Sequence, residues 1–324
     1  MAELPHIVIL GDYERALRRF SHWDKLDQQA KLTIHHEPLQ NEALYEAVKD
    51  ADAIAIVRDR SPFNEAMIAR LPKLKFLMFT GERNGTLEAA ALVSRNIPMG
   101  CTPGGPSKET TAELTWALIL SGSKRLIEQN KLIASGGWRD ELSVLPMLSG
   151  ERLGVMGLGA IGSRVARVGN AFGMEVVTWS PRMTPERAAS ENAKSVSLDE
   201  LLGTSKIVTM HLVAGPGTKG IISADQLALM RPDALLVNTS RSALINMADL
   251  QDALKIGRPG QAAVDVFDIE PLPVNDPLRN TPNLLVTPHL GFIAEPIFET
   301  FSKGITETLE AWLNQKPIPH PFNP

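Results

Sequence analysis

Three residues of complementary chemistry each follow a short apolar run. Residues 234–238 lead into Thr239-Ser240-Arg241, residues 262–267 into Asp268-Ile269-Glu270, and residues 283–287 into Pro288-His289-Leu290-Gly291. Continuous apolar runs set between helical patterns read as buried strands of a parallel sheet, whose ligands bind outside the carboxyl ends of the strands. An arginine, a glutamate and a histidine gathered there suit reversible hydride transfer to a 2-oxo acid. Reduction puts negative charge on the carbonyl oxygen, so a donor must be aimed at it and a proton must follow. His289 can do both as an imidazolium, and Glu270, bonded to it, would fix the ring and favour its charged form. Arg241 can hold the substrate carboxylate or carbonyl as a fixed cation. Any one of the three could be an ordinary loop or structural residue; the set at consecutive strand ends is what carries the reading.

A second motif, Gly157-Leu158-Gly159-Ala160-Ile161-Gly162, has the spacing G-x-G-x-x-G. The spacing alone is a weak signal, and its context makes it a strong one. The apolar run Leu153-Gly154-Val155-Met156 precedes it, a helical pattern from Ser163 to Phe172 follows and stops at Gly173, and a second apolar run spans 175–179. The first glycine allows the tight turn, the second lets the backbone approach a pyrophosphate, and the third permits close helix–strand packing, with the phosphates at the helix N-terminus. An NAD site would place a carboxylate at the end of the second strand for the ribose hydroxyls. Here Trp179-Ser180-Pro181-Arg182-Met183-Thr184 offers no Asp or Glu before Glu186. Arg182 can contact a 2′-phosphate, and Ser180 and Thr184 supply hydroxyls. NADP(H) is therefore the favoured cofactor, with NAD(H) the alternative.

The chain that must position these groups has 324 residues, a length suited to about two domains. Runs at 6–10, 32–37, 53–57, 76–80 and 98–101 form a first strand series, with helical patterns at 41–49 and 64–70. The second series comprises 152–156, 175–179, 206–210, 234–238, 262–267 and 283–287. Between the two series lie a break, Thr102-Pro103-Gly104-Gly105-Pro106, a long amphipathic stretch over 108–134 and an irregular segment over 135–148. The last helical stretch, 295–313, could fold back onto the first unit and make that domain discontinuous. Two doubly wound parallel-sheet α/β units are the economical reading.

Composition narrows the function classes. Apolar residues make up 44%, and 33 Lys+Arg against 37 Asp+Glu give a net charge of −4 without single-sign blocks. That speaks against a nucleic-acid or membrane-surface protein. The lone Cys101 excludes an intrachain disulfide and a Cys-rich zinc site and reads as structural, and His35-His36 lacks a ligand pattern, so no metal is expected. Met1-Ala2-Glu3-Leu4-Pro5 does not read as a secretory signal, and no apolar run approaches the ~18 residues of a membrane span; a cytoplasmic protein is expected. Trp138 could pack in the dimer arm or reach the substrate pocket, with packing favoured. The cluster Arg58-Asp59-Arg60 is divided evenly between an interdomain ion pair and a contact to a substrate phosphate or carboxylate.

Taken together the motifs resemble the D-isomer-specific 2-hydroxyacid dehydrogenases. The resemblance runs over essentially the whole chain and is carried by the glycine motif, by Asn238-Thr239-Ser240-Arg241-Ser242, by Asp265-Val266-Phe267-Asp268-Ile269-Glu270-Pro271-Leu272-Pro273 and by Thr287-Pro288-His289-Leu290-Gly291. It implies the roles argued above for Arg241, Glu270 and His289. It further implies that Asp265 holds the nicotinamide carboxamide, that Thr111 lies near the nicotinamide and that His211, Leu212 and Thr218 line the adenosine half. Thr239, Ser240 and Gly291 join the implied cofactor contacts. The implied fold is a Rossmann domain over 102–290 inserted into a flavodoxin-like substrate domain of 1–101 plus 291–324, and the implied assembly is a homodimer formed through the long helix and the arm after it. Many members carry a G-V-G-V-D-type loop for the substrate carboxylate. Here Thr80-Gly81-Glu82-Arg83-Asn84-Gly85-Thr86 resembles a T-G-x-R-N variant of a phosphoglycerate dehydrogenase-like branch, with Gly81, Glu82 and Arg83 as candidate substrate contacts. Ser180 and Arg182 fall where NADPH-linked glyoxylate/hydroxypyruvate reductases have a small residue followed by Arg. The expected substrate is thus a small 2-oxo acid such as glyoxylate or hydroxypyruvate. The alternatives are an NAD-linked dehydrogenase of a bulkier or phosphorylated 2-hydroxy acid and a dinucleotide-sensing corepressor-like protein.

Overall fold

A computed structural model describes residues 3–140 and 143–324. Met1 and Ala2 of the N-terminal segment, and residues 141 and 142 of the stretch read as irregular, lie outside the described residues. Contacts divide the chain into two compact units, Met1–Pro106 with Ile293–Pro324, and Ser107–Phe292.

The first unit contains five parallel strands: β1 His6–Leu10, β2 Lys31–Ile34, β3 Ala53–Ile56, β4 Phe76–Phe79 and β5 Met99–Cys101, in the order β2-β1-β3-β4-β5. This is the order of flavodoxin-like doubly wound sheets. Helices α1 Asp24–Gln29, α2 Asn41–Val48, α3 Glu65–Ala69 and α4 Ala89–Ser94 connect the strands. Every residue of β3 and β4 is buried, which explains why these strands read as unbroken apolar runs rather than alternating ones. Val8, Leu10, Ile54, Ile56, Leu77 and Phe79 share one core with Leu44, Val48, Ile68 and Leu92 of α2 to α4.

The second unit begins with α5 Ser107–Ser123 and α6 Leu126–Ala134. The single long helix expected over 108–134 is thus broken. Arg125 adopts a left-handed backbone, φ 47°, which a continuing α-helix does not allow. Seven parallel strands follow: β6 Arg152–Met156, β7 Glu175–Trp179, β8 Lys194–Ser195, β9 Ile207–Met210, β10 Leu235–Asn238, β11 Gln261–Val264 and β12 Leu284–Val286. The spacers between them are α7 Gly162–Ala171, α8 Pro185–Ala189, α9 Leu198–Thr204, α10 Ala224–Leu229 and α11 Met247–Lys255. The strand order is β12-β11-β10-β9-β6-β7-β8, so the chain changes direction across the sheet between β6 and β9, the switch point where doubly wound folds bind their ligands. Successive side chains serve opposite faces: Leu235 and Val237 belong to one core, Leu236 to the other. The two-residue β8 escapes sequence reading because Lys194 and Ser195 form no apolar run.

The last helix, α12 Glu295–Leu313, belongs to the first unit. It buries Ile297, Phe298, Phe301, Ile305 and Leu309, and Trp312 stacks on Phe76 with centroids 5.7 Å apart. The proline-rich end then pairs with the free edge of β5. Cys101 N–H donates to His320 O at 2.9 Å, Phe322 N–H donates to Met99 O at 3.0 Å, and the Phe322 ring meets Phe79 edge-on. No helix among the described residues is long and apolar enough to cross a membrane.

Candidate active site

Sheet order brings the three chemical residues of the second unit to adjacent strand ends, because β10, β11 and β12 are parallel neighbours. After β10 the buried side chain of Asn238 closes a local turn. Its amide nitrogen donates to Arg241 O at 2.9 Å, and its oxygen accepts from Ser240 N–H at 3.0 Å. That turn presents an exposed Arg241, whose guanidinium donates to Ser240 O at 2.8 Å. After β11, Glu270 Oε1 accepts from Phe267 N–H at 2.9 Å, while Oε2 lies 2.6 Å from His289 Nδ1. A carboxylate only accepts, so Nδ1 carries the hydrogen and Nε2 is the end left for a substrate. Among the described residues Nε2 has no hydrogen-bond partner, and about a third of the side chain (35%) faces solvent. Phe292 meets the imidazole edge-on at 5.8 Å and limits its rotation. Burial raises the Glu270 carboxyl, but the His289 bond and charge, the Phe267 N–H and the Arg241 charge outweigh it and hold the group below its usual value. Glu270 is therefore a carboxylate at neutral pH.

Asp265, fully buried, organises the His289 loop. Oδ1 accepts the Thr287 hydroxyl at 2.6 Å and Leu290 N–H at 2.8 Å, and Oδ2 accepts Gly291 N–H at 2.8 Å. These three internal donors fill most of the acceptor capacity of a carboxylate that has no exposed surface. Thr111 joins this knot from α5, donating to Gly291 O at 2.8 Å and Ser107 O at 2.7 Å. Thr239 is buried against α5, its hydroxyl 2.8 Å from that of Thr115, and Ser240 Oγ donates to Leu212 O at 2.7 Å. Thr111, Thr239 and Ser240 thus serve as ties within the unit as well as candidate contacts. Sequence reading placed Asn238 and Thr287 in motifs without giving them a role, and passed over Thr115. A polar residue two positions before a turn N–H was the available signal for Asn238, whereas the partners of the two threonines lie 22 and 124 residues away in the chain.

The glycine motif sits at the β6–α7 turn, and its three glycines answer different demands. Gly157 has φ 96°, and a Cβ there would lie 2.9 Å from the His211 carbonyl. A Cβ on Gly162 would overlap Gly157 O, whereas one on Gly159 would meet no atom within 4 Å. The first and third positions are thus closed by the fold itself, and the second faces open space. A dinucleotide pyrophosphate approaching the first turn of α7 fits that arrangement. Leu158 is buried, and Ala160 and Ile161 lead into the helix.

Of the adenosine-side candidates, Ser180 is half-buried at the end of β7. Arg182 is exposed and makes no hydrogen bond among the described residues. Thr184 caps α8, its hydroxyl accepting Arg187 N–H at 3.2 Å. The His211 ring lies 3.0 Å from the Thr209 hydroxyl through Nε2, and burial pushes its imidazole down to about 3, so it is neutral. Thr218 Oγ donates to Val213 O at 2.7 Å and closes the loop after β9.

The candidate substrate loop belongs to the first unit. Gly81 has φ 85°, and the Arg58 guanidinium occupies the space a Cβ would need. Its N–H donates to Thr102 Oγ at 3.0 Å, so the backbone donor expected from Gly81 is already engaged. Glu82 and Arg83 are exposed, and Asn84 ties the loop back to Arg58 O at 2.9 Å.

Residues 116–291 match the family model described as D-isomer specific 2-hydroxyacid dehydrogenase, NAD binding domain. The chain is 32% identical over 311 residues to a glyoxylate reductase of Aeropyrum pernix, covering 93% of this chain and 88% of that protein. It is 33% identical over 258 residues to a D-3-phosphoglycerate dehydrogenase of Methanocaldococcus jannaschii, covering 79% of this chain and about half (49%) of that longer protein. A crystal structure of phosphoglycerate oxidoreductase from Vibrio cholerae superposes with a TM-score of 0.88 at 30% identity, covering 96% of this chain and all (100%) of that one. The chain belongs to the D-isomer-specific 2-hydroxyacid dehydrogenases, oxidoreductases that interconvert 2-hydroxy and 2-oxo acids with a nicotinamide cofactor.

Proposed function

We propose that the protein is an NADPH-preferring reductase of small 2-oxo acids such as glyoxylate or hydroxypyruvate. The observation that carries the chemistry is the His289–Glu270 pair, held at 2.6 Å with Nε2 outward and the Arg241 charge close enough to act on Glu270. A nicotinamide cofactor, when bound, would supply the hydride for substrate C2. His289 Nε2 gives the proton that converts the carbonyl oxygen to a hydroxyl, and in the reverse direction takes it back. Arg241 pairs with the substrate carboxylate and steadies charge developing on the carbonyl oxygen. Glu270 keeps the imidazole in one orientation and balances its positive form.

On the cofactor side, the Gly157 to Gly162 turn would hold the pyrophosphate, and Asp265, which grips the His289 loop, is assigned to the carboxamide end. Thr111, Thr239, Ser240 and Gly291 surround the nicotinamide half, and His211, Leu212 and Thr218 the adenosine half. The absence of a carboxylate between Trp179 and Glu186 supports NADPH, with Ser180, Arg182 and Thr184 on the ribose side. The backbone N–H groups of Glu82 and Arg83, with the Arg83 cation, are assigned to the substrate carboxylate, Gly81 contributing room for Arg58 rather than a donor. A homodimer built on α6 and the arm after it is supported by the exposed Leu126, Ile127, Ile133 and Trp138, and a cytoplasmic location goes with this reading.

Initial rates of NADPH and NADH oxidation with glyoxylate, hydroxypyruvate, pyruvate, phenylpyruvate and 3-phosphohydroxypyruvate test the proposal. Fast NADPH turnover with the first two acids is the expected result. Preference for the phosphorylated acid would replace the substrate assignment, and faster NADH turnover would replace the cofactor assignment.

A further inference from the structure

A pocket of about 370 Å³ opens beside the dinucleotide turn, between α7 and α8 of the second unit. Leu158, Gly159 and Ala160 line it from the turn, Arg164 and Arg167 from α7, and Arg187 from α8. Three guanidiniums face one carboxylate there, that of Glu191. Arg164 spends its donors on Ala160 O at 2.6 Å and on the Glu109 carboxylate, and Arg167 lies 3.7 Å from Glu191. Arg187 is different. Nη2 donates to Leu158 O at 3.2 Å, which anchors the guanidinium on the turn itself, and no carboxylate lies within ion-pairing distance of it among the described residues. It is the one lining cation with neither a compensating charge nor a reason to leave.

The position of the pocket says what anion it suits. Gly157 N–H donates to Trp179 O at 2.9 Å, so the end of β7, where the adenosine ribose of a dinucleotide binds, is joined to the same turn. Arg182, the cation that sequence spacing singles out on this segment, is exposed, unanchored and absent from the pocket lining. We infer that the pocket receives the 2′-phosphate of NADPH and that Arg187, more than Arg182, distinguishes NADPH from NADH. The inference rests on the NADPH reading proposed above. A phosphate monoester brings about two negative charges, which a planar guanidinium already fixed at one end binds in fork geometry. An arginine held by a backbone carbonyl loses less side-chain freedom on binding than a free one, so its contact weakens less through ordering.

Isothermal titration with adenosine 2′,5′-bisphosphate and with adenosine 5′-monophosphate measures the 2′-phosphate contact without turnover. The wild-type chain should bind the bisphosphate more tightly. Arg187→Ala should weaken the bisphosphate by about tenfold or more while 5′-monophosphate binding changes little, with Arg182→Ala showing the smaller loss. Arg187→Lys, which keeps charge without the fork, should restore part of the affinity and guards against a folding defect in the alanine variant. Equal weakening of both ligands in Arg187→Ala would mean that Arg187 only supports the turn, and a larger bisphosphate loss in Arg182→Ala than in Arg187→Ala would return the role to Arg182. Either result overturns the inference while the NADPH reading stands. Equal wild-type affinity for the two ligands, with NADH turned over faster than NADPH, would remove the NADPH reading and this inference with it.

Discussion

Asp265 Oδ2 accepts the backbone N–H of Gly291 at 2.8 Å, so a buried carboxylate at the end of β11 fixes the chain two residues beyond His289. Its other oxygen holds Thr287 and Leu290, which grips the loop on both sides of the histidine. His289 itself takes a left-handed backbone, φ 55°, a conformation uncommon for a residue with a side chain. The carboxylate is what keeps the loop in that shape.

Burial raises the Asp265 carboxyl above its ordinary value despite three donors and the nearby His289. A carboxyl with a raised native pKa binds its proton more tightly in the fold than in the unfolded chain. Its ionised form at neutral pH is therefore held against stability, and that penalty falls away as pH drops through its native range. Asp265→Asn should thus gain least, relative to wild type, in mild acid. It should nevertheless lose activity, because an amide accepts at one atom only and turns an NH2 toward either Leu290 N–H or Gly291 N–H. Displacing His289 by an ångström is worth about a hundredfold in kcat. Turnover with NADPH, together with thermal unfolding at neutral and mildly acid pH, checks both halves; wild-type turnover in Asp265→Asn would end the positioning argument.

The Glu270–His289 pair separates proton chemistry from cofactor binding. His289→Ala should lower kcat by about 10²- to 10⁴-fold with dinucleotide binding retained. Glu270→Gln keeps an oxygen for Phe267 N–H but loses the charge, and should lower kcat less than His289→Ala does. The native Glu270 carboxyl is held below its ordinary value, so its contribution to stability is present above the unfolded value near 4.5 and disappears as pH falls through the lower native one. Unfolding midpoints of wild type and Glu270→Gln should accordingly differ at neutral pH and converge in acid. Persistence of the difference at the acid end would show that the pair is not what sets it.

Much of this organisation is legible in the residues because it follows from local rules. Unbroken apolar runs such as 53–57 and 76–80 mark strands buried on both faces, and the glycine motif stands where strand, turn and helix agree. That Arg241, Glu270 and His289 each follow a strand is read from the alternation, and the sheet order makes those strands neighbours. What stays hidden depends on partners distant in the chain. Nothing local says that Thr115 meets Thr239, that Arg58 fills the space above Gly81, or that residues 320–322 pair with β5. The break at Arg125 is hidden for another reason. Lys124 and Arg125 suit a helix by propensity, so nothing in their residue types marks the left-handed turn at Arg125. Arg187 escaped because its importance comes from a carbonyl in a different loop, not from its spacing to the glycine motif.

The loop after β4 offers a test of the first unit. Gly81 combines φ 85° with a Cβ position already taken by the Arg58 guanidinium. Gly81→Ala should therefore lower stability by about 1–3 kcal/mol, through left-handed strain together with displacement of Arg58. It should also raise the KM for the 2-oxo acid more than that for the cofactor. Chemical denaturation and steady-state kinetics measure the two effects, and a KM change confined to the cofactor would remove this loop from the substrate side.

The glycine motif yields a paired prediction in which neighbouring positions behave oppositely. At Gly162 an added methyl would press on Gly157 O, a backbone atom of the turn that cannot swing aside as a side-chain tip would. Overpacking of that kind costs about 1–3 kcal/mol or more, so Gly162→Ala should unfold at a clearly lower temperature and bind any dinucleotide poorly. At Gly159 the same methyl meets no protein atom within 4 Å, and the position has no positive φ to strain. Gly159→Ala should therefore fold with nearly wild-type stability, since the methyl projects into space the protein leaves empty. If that space is where the pyrophosphate approaches the backbone, the variant should still lose NADPH and NADH alike, because the obstruction lies at a part both cofactors share. Thermal unfolding with and without dinucleotide separates the two cases: Gly162→Ala should be destabilised in both conditions, and Gly159→Ala should match wild type without ligand but show little of the ligand-induced rise. A full ligand-induced rise in Gly159→Ala would mean that the open side of this turn is not the cofactor's approach.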